Sequence, residues 1–410
     1  MTRSHRRRRH PRRRPSALKR RMKTPVLILL IASVVIVALA ATGAAWWSMH
    51  PTTNAGEHTP VSLLVTAPTA EEAAPGVPPS VRSRLTEIGL ADGSVAVHRV
   101  DSDGVVDSRT VDLTPRIDPL DPTSPPIRTR ERAENALGKV LDAMETDLST
   151  RPATTGGRSL YTGLLGLDLE PRSRLVIISS GLDLKDPLDF RRLAFDADPE
   201  AVVGALEREG EFPRLDDVDV TFVVSGTLGD QPPLRRGQLE YVRGVWTAIL
   251  QRAGASVEFV AGVTASGAPG APNAPVLALP PLGVTPGPEP RTCELPSSAY
   301  FVAGESALVG DGAGAAADLA RCLKGTAPTT QLTLDGWVAD TGTRPERDVE
   351  LSQERVDAVA DLLIRELGVD PARIVRRTGH GTRDLPDPDD PASPRNRVVL
   401  VRWLDPSEGA

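Results

Sequence analysis

The sequence lacks the short motifs that identify most catalytic centres. Its 410 residues contain no G-x-S-x-G nucleophile motif, no H-E-x-x-H metal motif and no cysteine pair at metal-ligand spacing. His380, in TGHGTR, has no catalytic partner in such a motif and is expected to be solvated. No pair of acids marks a glycoside hydrolase. The sequence predicts a non-enzymatic protein without a metal or cofactor.

Charged residues are absent from Pro25 to Ala45, a run of apolar and small residues. As a helix rising 1.5 Å per residue, this run spans about 30 Å, the thickness of the hydrocarbon core of a bilayer. Trp46 and Trp47 follow where an interfacial aromatic belt lies. The alternative is a cleaved signal peptide, but the apolar core of a signal peptide is shorter. The sequence predicts an uncleaved transmembrane helix at 25–47.

Positive charge is concentrated just before this run. Residues 1–23 carry ten Arg, two Lys and no acid, whereas the whole chain has a net charge of −6. Removing these 12 charges leaves −18 on the remainder, which argues against a nucleic-acid-binding domain there. By the positive-inside rule the basic segment stays in the cytoplasm. All that follows Ser48 is therefore predicted to be extracytoplasmic, on a single-pass protein of the cell membrane.

Cysteine occurs only at Cys293 and Cys322, both in the part predicted to be exported. An even number of cysteines in an oxidising compartment favours one disulfide. Two unpaired cysteines that serve as small apolar residues are the alternative.

Strands and helices alternate between Val61 and Val263. Near-continuous apolar runs, such as LVIIS at 175–179 and VTFVV at 220–224, are typical of strands buried on both faces. Their alternation with helices predicts a layered α/β sheet, mostly parallel, with residues 106–113 as an antiparallel edge strand. Helices are predicted near 79–90, 130–148, 189–208 and 234–253.

This order of elements resembles a von Willebrand factor A domain. That family usually holds a divalent cation with a D-x-S-x-S loop, a distant Thr and the Asp of an S-D-G turn. Here Thr66 and Pro68 stand where the loop needs an acid and a hydroxyl, and the turn Ser179-Ser180-Gly181 has no Asp. Thr162 could supply the threonine, but a lone Thr does not hold a hard cation. The resemblance therefore implies a degenerate metal site.

Two acids, Asp183 and Asp186, lie close to this turn in the sequence and are expected to be solvated. The carboxyl ends of the strands still form a crevice where an unidentified envelope protein could dock.

A Pro-rich linker is predicted at 264–292. Ala265 to Pro290 contain eight Pro and four Gly without any helical or strand period. Polyproline-type extension at 3.1 Å per residue would give a tether of up to roughly 80 Å.

The remaining region, 293–404, predicts the order β-α-β-α-β-β of an α+β domain. Its second helix, 352–367, has Ser352 as N-cap and ends before Gly368 and Pro371. The first helix is predicted at 312–323 and the strands at 298–303, 331–337, 373–379 and 397–403.

Four ordered motifs make this region similar to the OmpA C-terminal-like peptidoglycan-binding domain. They are an aromatic followed five residues later by Ser, the G-H-T-D…L-S-x-x-R-A signature, a G-V-x-x-x-R-I run and an N-R-R-V run. In this sequence they correspond to Phe301 with Ser306, Gly336–Asp340 with Leu351–Val356, Gly368–Ile374 and Asn396–Val399. The signature is imperfect, because Trp337 and Val338 replace its His-Thr pair and one residue is inserted before Asp340. Val398 replaces the second Arg, and such losses imply weaker or altered ligand binding.

The resemblance implies a ligand, the diaminopimelate residue of the peptidoglycan stem peptide. Its end carries an ammonium and a carboxylate, which an acid and a planar arginine fork can bind. By resemblance Arg355 binds the carboxylate, Arg397 supports it, Asp340 binds the ammonium and Asp348 lines the loop. The amino terminus of the second helix is expected to add backbone donors for the carboxylate. The alternative is a functionless exposed ion pair between Asp340 and Arg355.

Two functions remain open. In the first, the protein tethers the membrane to peptidoglycan through its OmpA-like domain. In the second, it is a scaffold that binds a protein through the α/β domain, and the wall-binding fold is vestigial. A proton-driven stator subunit has a similar layout, but the predicted span lacks an ionisable residue. The predicted organisation is a basic segment (1–24), a transmembrane helix (25–47), a spacer (48–60), the α/β domain (61–263), the linker (264–292), the OmpA-like domain (293–404) and a tail (405–410).

Overall fold

The computed structural model describes residues 59–193, 195–265, 271–277, 279, 285–286, 291–339, 347–391 and 393–403. The predicted basic segment, transmembrane helix and tail lie outside the described residues, and so does Asp340. Within the described ranges no helix is long and apolar enough to cross a membrane. The α/β domain and the C-terminal domain belong to one compact unit that starts at Thr59.

Fifteen strands and nine α-helices are found in these ranges. The strands are β1 (Val61–Thr66), β2 (Ala74–Gly76), β3 (Ser94–Asp101), β4 (Gly104–Asp112), β5 (Arg174–Ser179), β6 (Leu184–Lys185), β7 (Leu188–Asp189), β8 (Asp219–Val224), β9 (Ser256–Ala261), β10 (Val263–Ala265), β11 (Thr285–Pro286), β12 (Thr292–Pro296), β13 (Leu332–Trp337), β14 (Ile374–Gly381) and β15 (Val398–Trp403). The helices are α1 (Pro79–Leu90), α2 (Arg130–Thr150), α3 (Leu160–Leu165), α4 (Phe190–Leu193), α5 (Pro199–Glu209), α6 (Arg236–Arg252), α7 (Ser297–Tyr300), α8 (Ala313–Cys322) and α9 (Asp348–Arg365).

The first domain is built on a six-stranded sheet with the order β4-β3-β1-β5-β8-β9. Every neighbouring pair is parallel except β3 and β4, which are antiparallel at the edge. The predicted layered α/β sheet with its antiparallel edge strand is confirmed. The finer resemblance to a von Willebrand factor A domain stays a prediction.

Helices cover both faces of this sheet, which explains the continuous apolar runs. In β1, Leu64 packs into the core beneath α5 and α6, whereas Leu63 and Val65 pack into the opposite core with α1 and α2. Because side chains alternate along a strand, a strand between two helical layers needs apolar residues at every position.

One predicted helix, 189–208, is divided into α4 and α5. Pro199 takes the first position of α5, and the Asp198 carboxylate accepts a hydrogen bond from the backbone N–H of Glu200. Proline is tolerated at that position but breaks a helix interior. A turn therefore precedes α5, and it presents Asp196 toward the C-terminal domain.

The predicted tether differs from the structure over residues 271–277. Leu277 is buried in the core of the α/β domain, and its backbone N–H donates to Gln231 at 2.7 Å. The backbone N–H of Ala274 donates to the carboxylate of Glu71. The buried Leu277 side chain and these two backbone hydrogen bonds hold this part of the Pro-rich segment along the domain.

The C-terminal domain has a five-stranded sheet, β11-β12-β15-β13-β14, with a separate core. From β12 onward its described order is the predicted β-α-β-α-β-β with one addition, the short helix α7 before α8. The first strand is Thr292–Pro296 rather than 298–303, because Cys293 and Leu295 face the core while residues 297–300 turn into α7. Helix α9 starts at Asp348, so Ser352 is not its N-cap and instead accepts a hydrogen bond from the Gly381 N–H at 2.9 Å.

Cys293 and Cys322 form the predicted disulfide, which joins β12 to the last residue of α8. The bond closes a loop of 29 residues and lies at the edge of the C-terminal core.

Replacing both cysteines by Ser is expected to lower the free energy of unfolding of this domain by about 3–4 kcal/mol, because the bridge restricts the unfolded chain. Chemical denaturation of the wild type with and without a reducing agent measures the effect. A double variant as stable as the oxidised wild type would contradict it.

Candidate functional site

Arg355 lies about two helical turns into α9, on the side that faces the sheet. Two glycines of the sheet allow the helix to approach closely. A Cβ atom on Gly379 would lie 2.3 Å from the backbone nitrogen of Gln353, and one on Gly336 would lie 2.8 Å from the carbonyl oxygen of Ser352. Arg355 is fully buried. The expectation that backbone donors at the helix amino terminus bind the ligand carboxylate together with Arg355 is wrong, because α9 begins at Asp348, seven residues before Arg355.

Each of the three guanidinium nitrogens of Arg355 donates a hydrogen bond within its own chain. Its two terminal nitrogens donate to the two carboxylate oxygens of Asp196, each at 2.8 Å. Its Nε donates to the carbonyl of Glu305 at 2.9 Å, and the guanidinium lies 5.2 Å from the ring centroid of Phe301. A parallel fork of two charge-assisted bonds is the arrangement by which arginine binds a carboxylate most strongly. The site thus binds a carboxylate, and that carboxylate is Asp196.

Arg397 lies beside this pair and is also buried, with 3 % of its surface exposed. Its Nη2 donates to the carbonyl of Arg192, while its Nη1 has no hydrogen-bond partner among the described residues. Burial lowers the pKa of Arg397, and the neighbouring charge of Asp196 opposes that shift. The structure therefore brings both predicted carboxylate-binding arginines to one place.

A small cavity of about 40 Å³ adjoins these groups. Asp348, half-buried in the first turn of α9, and Arg347 line this cavity, while the role of Asp348 in ligand binding stays a prediction. Val338 and Ala339 form its apolar wall. Asp340, the predicted partner for the ligand's ammonium, lies outside the described residues, so its place in the site stays a prediction.

The alternative in which Arg355 belongs to an exposed surface ion pair is wrong. Its side chain has 0 % relative exposure, and the side chain of Asp196 has 5 %. Breaking a buried, bidentate pair costs far more than breaking a surface pair, because either partner alone would be an uncompensated buried charge.

A second charged cluster is buried in the α/β domain, at the carboxyl ends of β1 and β5. Glu72 accepts hydrogen bonds from Thr66 Oγ1 at 2.9 Å and from the Ser180 N–H at 2.7 Å. Its other oxygen lies 3.4 Å from Nε of Arg158, which is 2 % exposed. Arg158 Nη1 and Nη2 have no hydrogen-bond partner in the described part of the chain. This guanidinium supplies a buried positive charge at the carboxyl ends of β1 and β5.

Asp183 belongs to the same cluster, and the expectation that it is solvated is wrong. It is 1 % exposed and accepts the backbone N–H groups of Leu160 and Tyr161 at 2.8 and 2.7 Å. Burial raises the pKa of Asp183 to about 7, against the opposing effect of these bonds and of Arg158. The acid is buried because it satisfies the first N–H groups of α3. Asp186 is exposed, as expected.

Thr162 is not part of this cluster, since its hydroxyl accepts a hydrogen bond from Ser159 at 2.6 Å. Among the described residues, no group of three or more His, Cys, Asp and Glu side chains is placed to hold a metal ion.

His380 is one-quarter exposed rather than fully solvated. Its ring stacks on Trp337 at 4.6 Å between centroids, and its Nε2 lies 3.0 Å from the carboxylate of Asp335. These contacts fix the edge strand β14 against β13.

Two important residues escaped the sequence analysis. Asp196 was missed because it lies 159 residues from Arg355 and no local motif marks it. Arg158 was missed because the residues around it, RPATTGGRS at 151–159, show no apolar pattern that would predict a buried position. Asp198 followed by Pro199 is a typical helix start, and it could have predicted that an acidic turn interrupts the predicted helix 189–208.

Comparisons with known proteins identify the C-terminal domain. Residues 300–398 match the model of the OmpA family, so this region is an OmpA-family domain, as the motifs predicted. No curated protein matches the chain. Similar solved structures include a putative MotB-like protein from Desulfovibrio vulgaris, with 24% identity over 27% of this chain and 71% of that chain and a TM-score of 0.24. The periplasmic domain of Helicobacter pylori MotB is also similar, with 22% identity over 29% of this chain and 78% of that chain and a TM-score of 0.25. The OmpA-like domain of FopA1 from Francisella tularensis subsp. tularensis SCHU S4 has 22% identity over 28% of this chain and 73% of that chain and a TM-score of 0.22.

Proposed function

We propose that this protein is a non-enzymatic cell-envelope protein whose OmpA-like domain binds the diaminopimelate stem of peptidoglycan. One observation carries the proposal. Arg355, the arginine that matches the family's signature, binds a carboxylate through both terminal nitrogens at 2.8 Å. The site therefore has the geometry that a ligand carboxylate requires.

The neighbouring groups support the same ligand. Arg397 lies beside the carboxylate, and its Nη1 has no partner among the described residues, so it can donate a second hydrogen bond to a ligand carboxylate. Asp348 at the cavity wall, and Asp340 by resemblance, supply acids for the ammonium of diaminopimelate. One acidic and one basic subsite distinguish this zwitterion from a simple carboxylate.

We further propose that residues 25–47 anchor the chain in the cell membrane, with both folded domains outside the cytoplasm. The apolar run and its basic flank support the anchor. The disulfide between Cys293 and Cys322 supports an oxidising compartment. An anchor at one end and a wall-binding domain at the other would tether membrane to wall.

We expect the full-length protein to be retained on purified sacculi whose stem peptides contain diaminopimelate. Arg355→Ala should reduce this retention by about tenfold or more, because the loss of a bidentate, charge-assisted contact is worth more than about 1.4 kcal/mol. Arg365→Ala is the matched control, since it removes an exposed arginine from the same helix.

Sacculi with lysine in place of diaminopimelate lack the terminal carboxylate and should retain the protein poorly. Circular dichroism verifies that each variant is folded. Undiminished retention of a folded Arg355→Ala variant would contradict the assignment of the site.

A second candidate function, the protein-binding scaffold, is favoured by the same buried pair. Because Asp196 fills the Arg355 site, the OmpA-like domain could serve only to join the two domains. In that case neither the wild type nor an Asp196→Ala variant would be retained on sacculi, although both are folded.

A further inference from the structure

The carboxylate site of the OmpA-like domain is closed by a turn from the α/β domain. This docking turn, residues 195–198, connects α4 to α5 and places Asp196 against Arg355. The cavity left beside the pair is about 40 Å³. Sites for small molecules usually have about 300–1,000 Å³. With the docking turn in place, a stem peptide has no room beside Arg355.

We propose that Asp196 is an internal ligand of this site, and that the wall peptide must displace it to bind. The proposal rests on the proposed function, because it describes the regulation of the same site. The carboxylate of Asp196 and the terminal carboxylate of diaminopimelate are the same chemical group. Arg355 can form its two parallel bonds with only one of them at a time.

The docking turn fits the C-terminal domain closely. Its Asp196 carbonyl accepts a hydrogen bond from the Gly304 N–H at 2.8 Å. Gly304 has φ +71°, and a Cβ there would lie 2.4 Å from the Cβ of Asp198, so the backbones meet where only glycine leaves room. From its own domain, Tyr241 donates to the carbonyl of Ala197 at 2.9 Å. The turn is thus held in a defined position on both sides.

The closed arrangement leaves one strong donor unused. Arg397 gives Nη2 to the carbonyl of Arg192, but its buried Nη1 has no partner in the described part of the chain. A buried donor without an acceptor is costly. An external carboxylate that reaches both Arg355 and Arg397 would accept a hydrogen bond from this donor. The ligand would then form one more hydrogen bond in the site than Asp196 does.

The joint between the domains contains several polar contacts, and each domain keeps a core of its own. Among the described residues, the core of the OmpA-like domain is formed by residues from Cys293 to Trp403. The contacts that carry the joint are hydrogen bonds of Arg355, Arg397 and Gly304, while Ala303 packs on the α/β core. Because the two core clusters are separate, the domains can part without either core unfolding.

Competition between Asp196 and the wall peptide weakens the measured affinity for the peptide by a predictable factor. The apparent dissociation constant for the wall peptide equals the intrinsic constant divided by the fraction of molecules in the open form. If about one molecule in ten or fewer is open, removal of Asp196 strengthens binding by about tenfold or more.

The test compares full-length wild type, Asp196→Ala, Arg355→Ala and the double variant for retention on sacculi that contain diaminopimelate. Asp196→Ala is expected to be retained about tenfold more strongly than the wild type, and the double variant should lose this gain. Asp103→Ala is the matched control, because Asp103 is an exposed acid that pairs with Lys185 in the same domain. It should bind like the wild type. Should Asp196→Ala fail to fold, Asp196→Asn keeps the shape of the side chain and removes its charge.

The outcomes separate the two proposals. Equal retention of the wild type and Asp196→Ala, with loss in Arg355→Ala, would overturn the internal ligand while wall binding stands. Absence of retention for a folded Asp196→Ala variant would overturn wall binding and the internal ligand together.

Discussion

Replacing Arg158 by Met is expected to lower the free energy of unfolding by about 3–5 kcal/mol at pH 7. Arg158 lies in the buried cluster of the α/β domain, 3.4 Å from Glu72, and donates to the carbonyl of Leu182 at 2.9 Å. Methionine fills a similar volume but brings no charge. The substitution would leave the buried carboxyl groups of Glu72 and Asp183 without their counter-charge.

Urea denaturation at pH 7, followed by tryptophan fluorescence, measures this loss. Trp246 is a suitable reporter because it is buried and donates to the carbonyl of Gly181, next to the cluster. The control is Arg236→Ala, which breaks an exposed pair with Glu240 and should leave stability unchanged. A stability loss for Arg158→Met no larger than the control's would show that the guanidinium is not needed there.

The second large effect is a pH dependence that comes from Asp183. Its pKa is raised from 3.8 to about 7 on folding, chiefly because burial disfavours the charged carboxylate. Between these pH values the folded protein binds a proton that the unfolded chain has lost. The stability that Asp183 contributes is therefore fully present below about pH 4 and is lost as the pH rises through about 7.

Between pH 5 and pH 8 the wild type should lose about 2–3 kcal/mol more of its free energy of unfolding than Asp183→Asn does. Asparagine does not titrate, and the other ionisable groups contribute alike to both proteins. Denaturation curves at a series of pH values give the difference. Parallel pH profiles for the two proteins would contradict the raised pKa.

Much of the fold follows from local patterns in the sequence. The doubly covered sheet was predictable because β1, β5 and β8 each contain consecutive apolar residues, which place apolar side chains on both faces of the sheet. The end of α9 was predictable from Gly368 and Pro371. The start of α9 was not, since Ser352 resembles an N-cap yet bonds to the neighbouring strand. A tertiary contact replaced a local one.

The candidate site was predictable only in part. Arg355 and Arg397 could be found because they stand in motifs that belong to one domain. Their partner Asp196 comes from another domain, through a turn that Pro199 creates, and its position depends on long-range packing. The burial of Asp183 depends likewise on α3, whose first backbone donors it satisfies.

The two buried charge clusters have different roles in this account. In the α/β domain, Arg158 provides an internal cation at the carboxyl ends of the strands, which makes that cluster structural. At the site of the OmpA-like domain, Asp196 of the α/β domain provides the anion where the family motif predicts an external carboxylate. The proposed opening of the second cluster would leave both cores intact, because the two cores are packed separately.

Titration of a soluble, diaminopimelate-containing stem peptide into the Asp196→Ala variant tests the central claim most directly. Calorimetry should show one peptide bound per chain, and Arg355→Ala in the same background should abolish the heat of binding. The same peptide with lysine at the diaminopimelate position should not bind. Absence of binding to folded Asp196→Ala, or binding that persists without Arg355, would contradict the account.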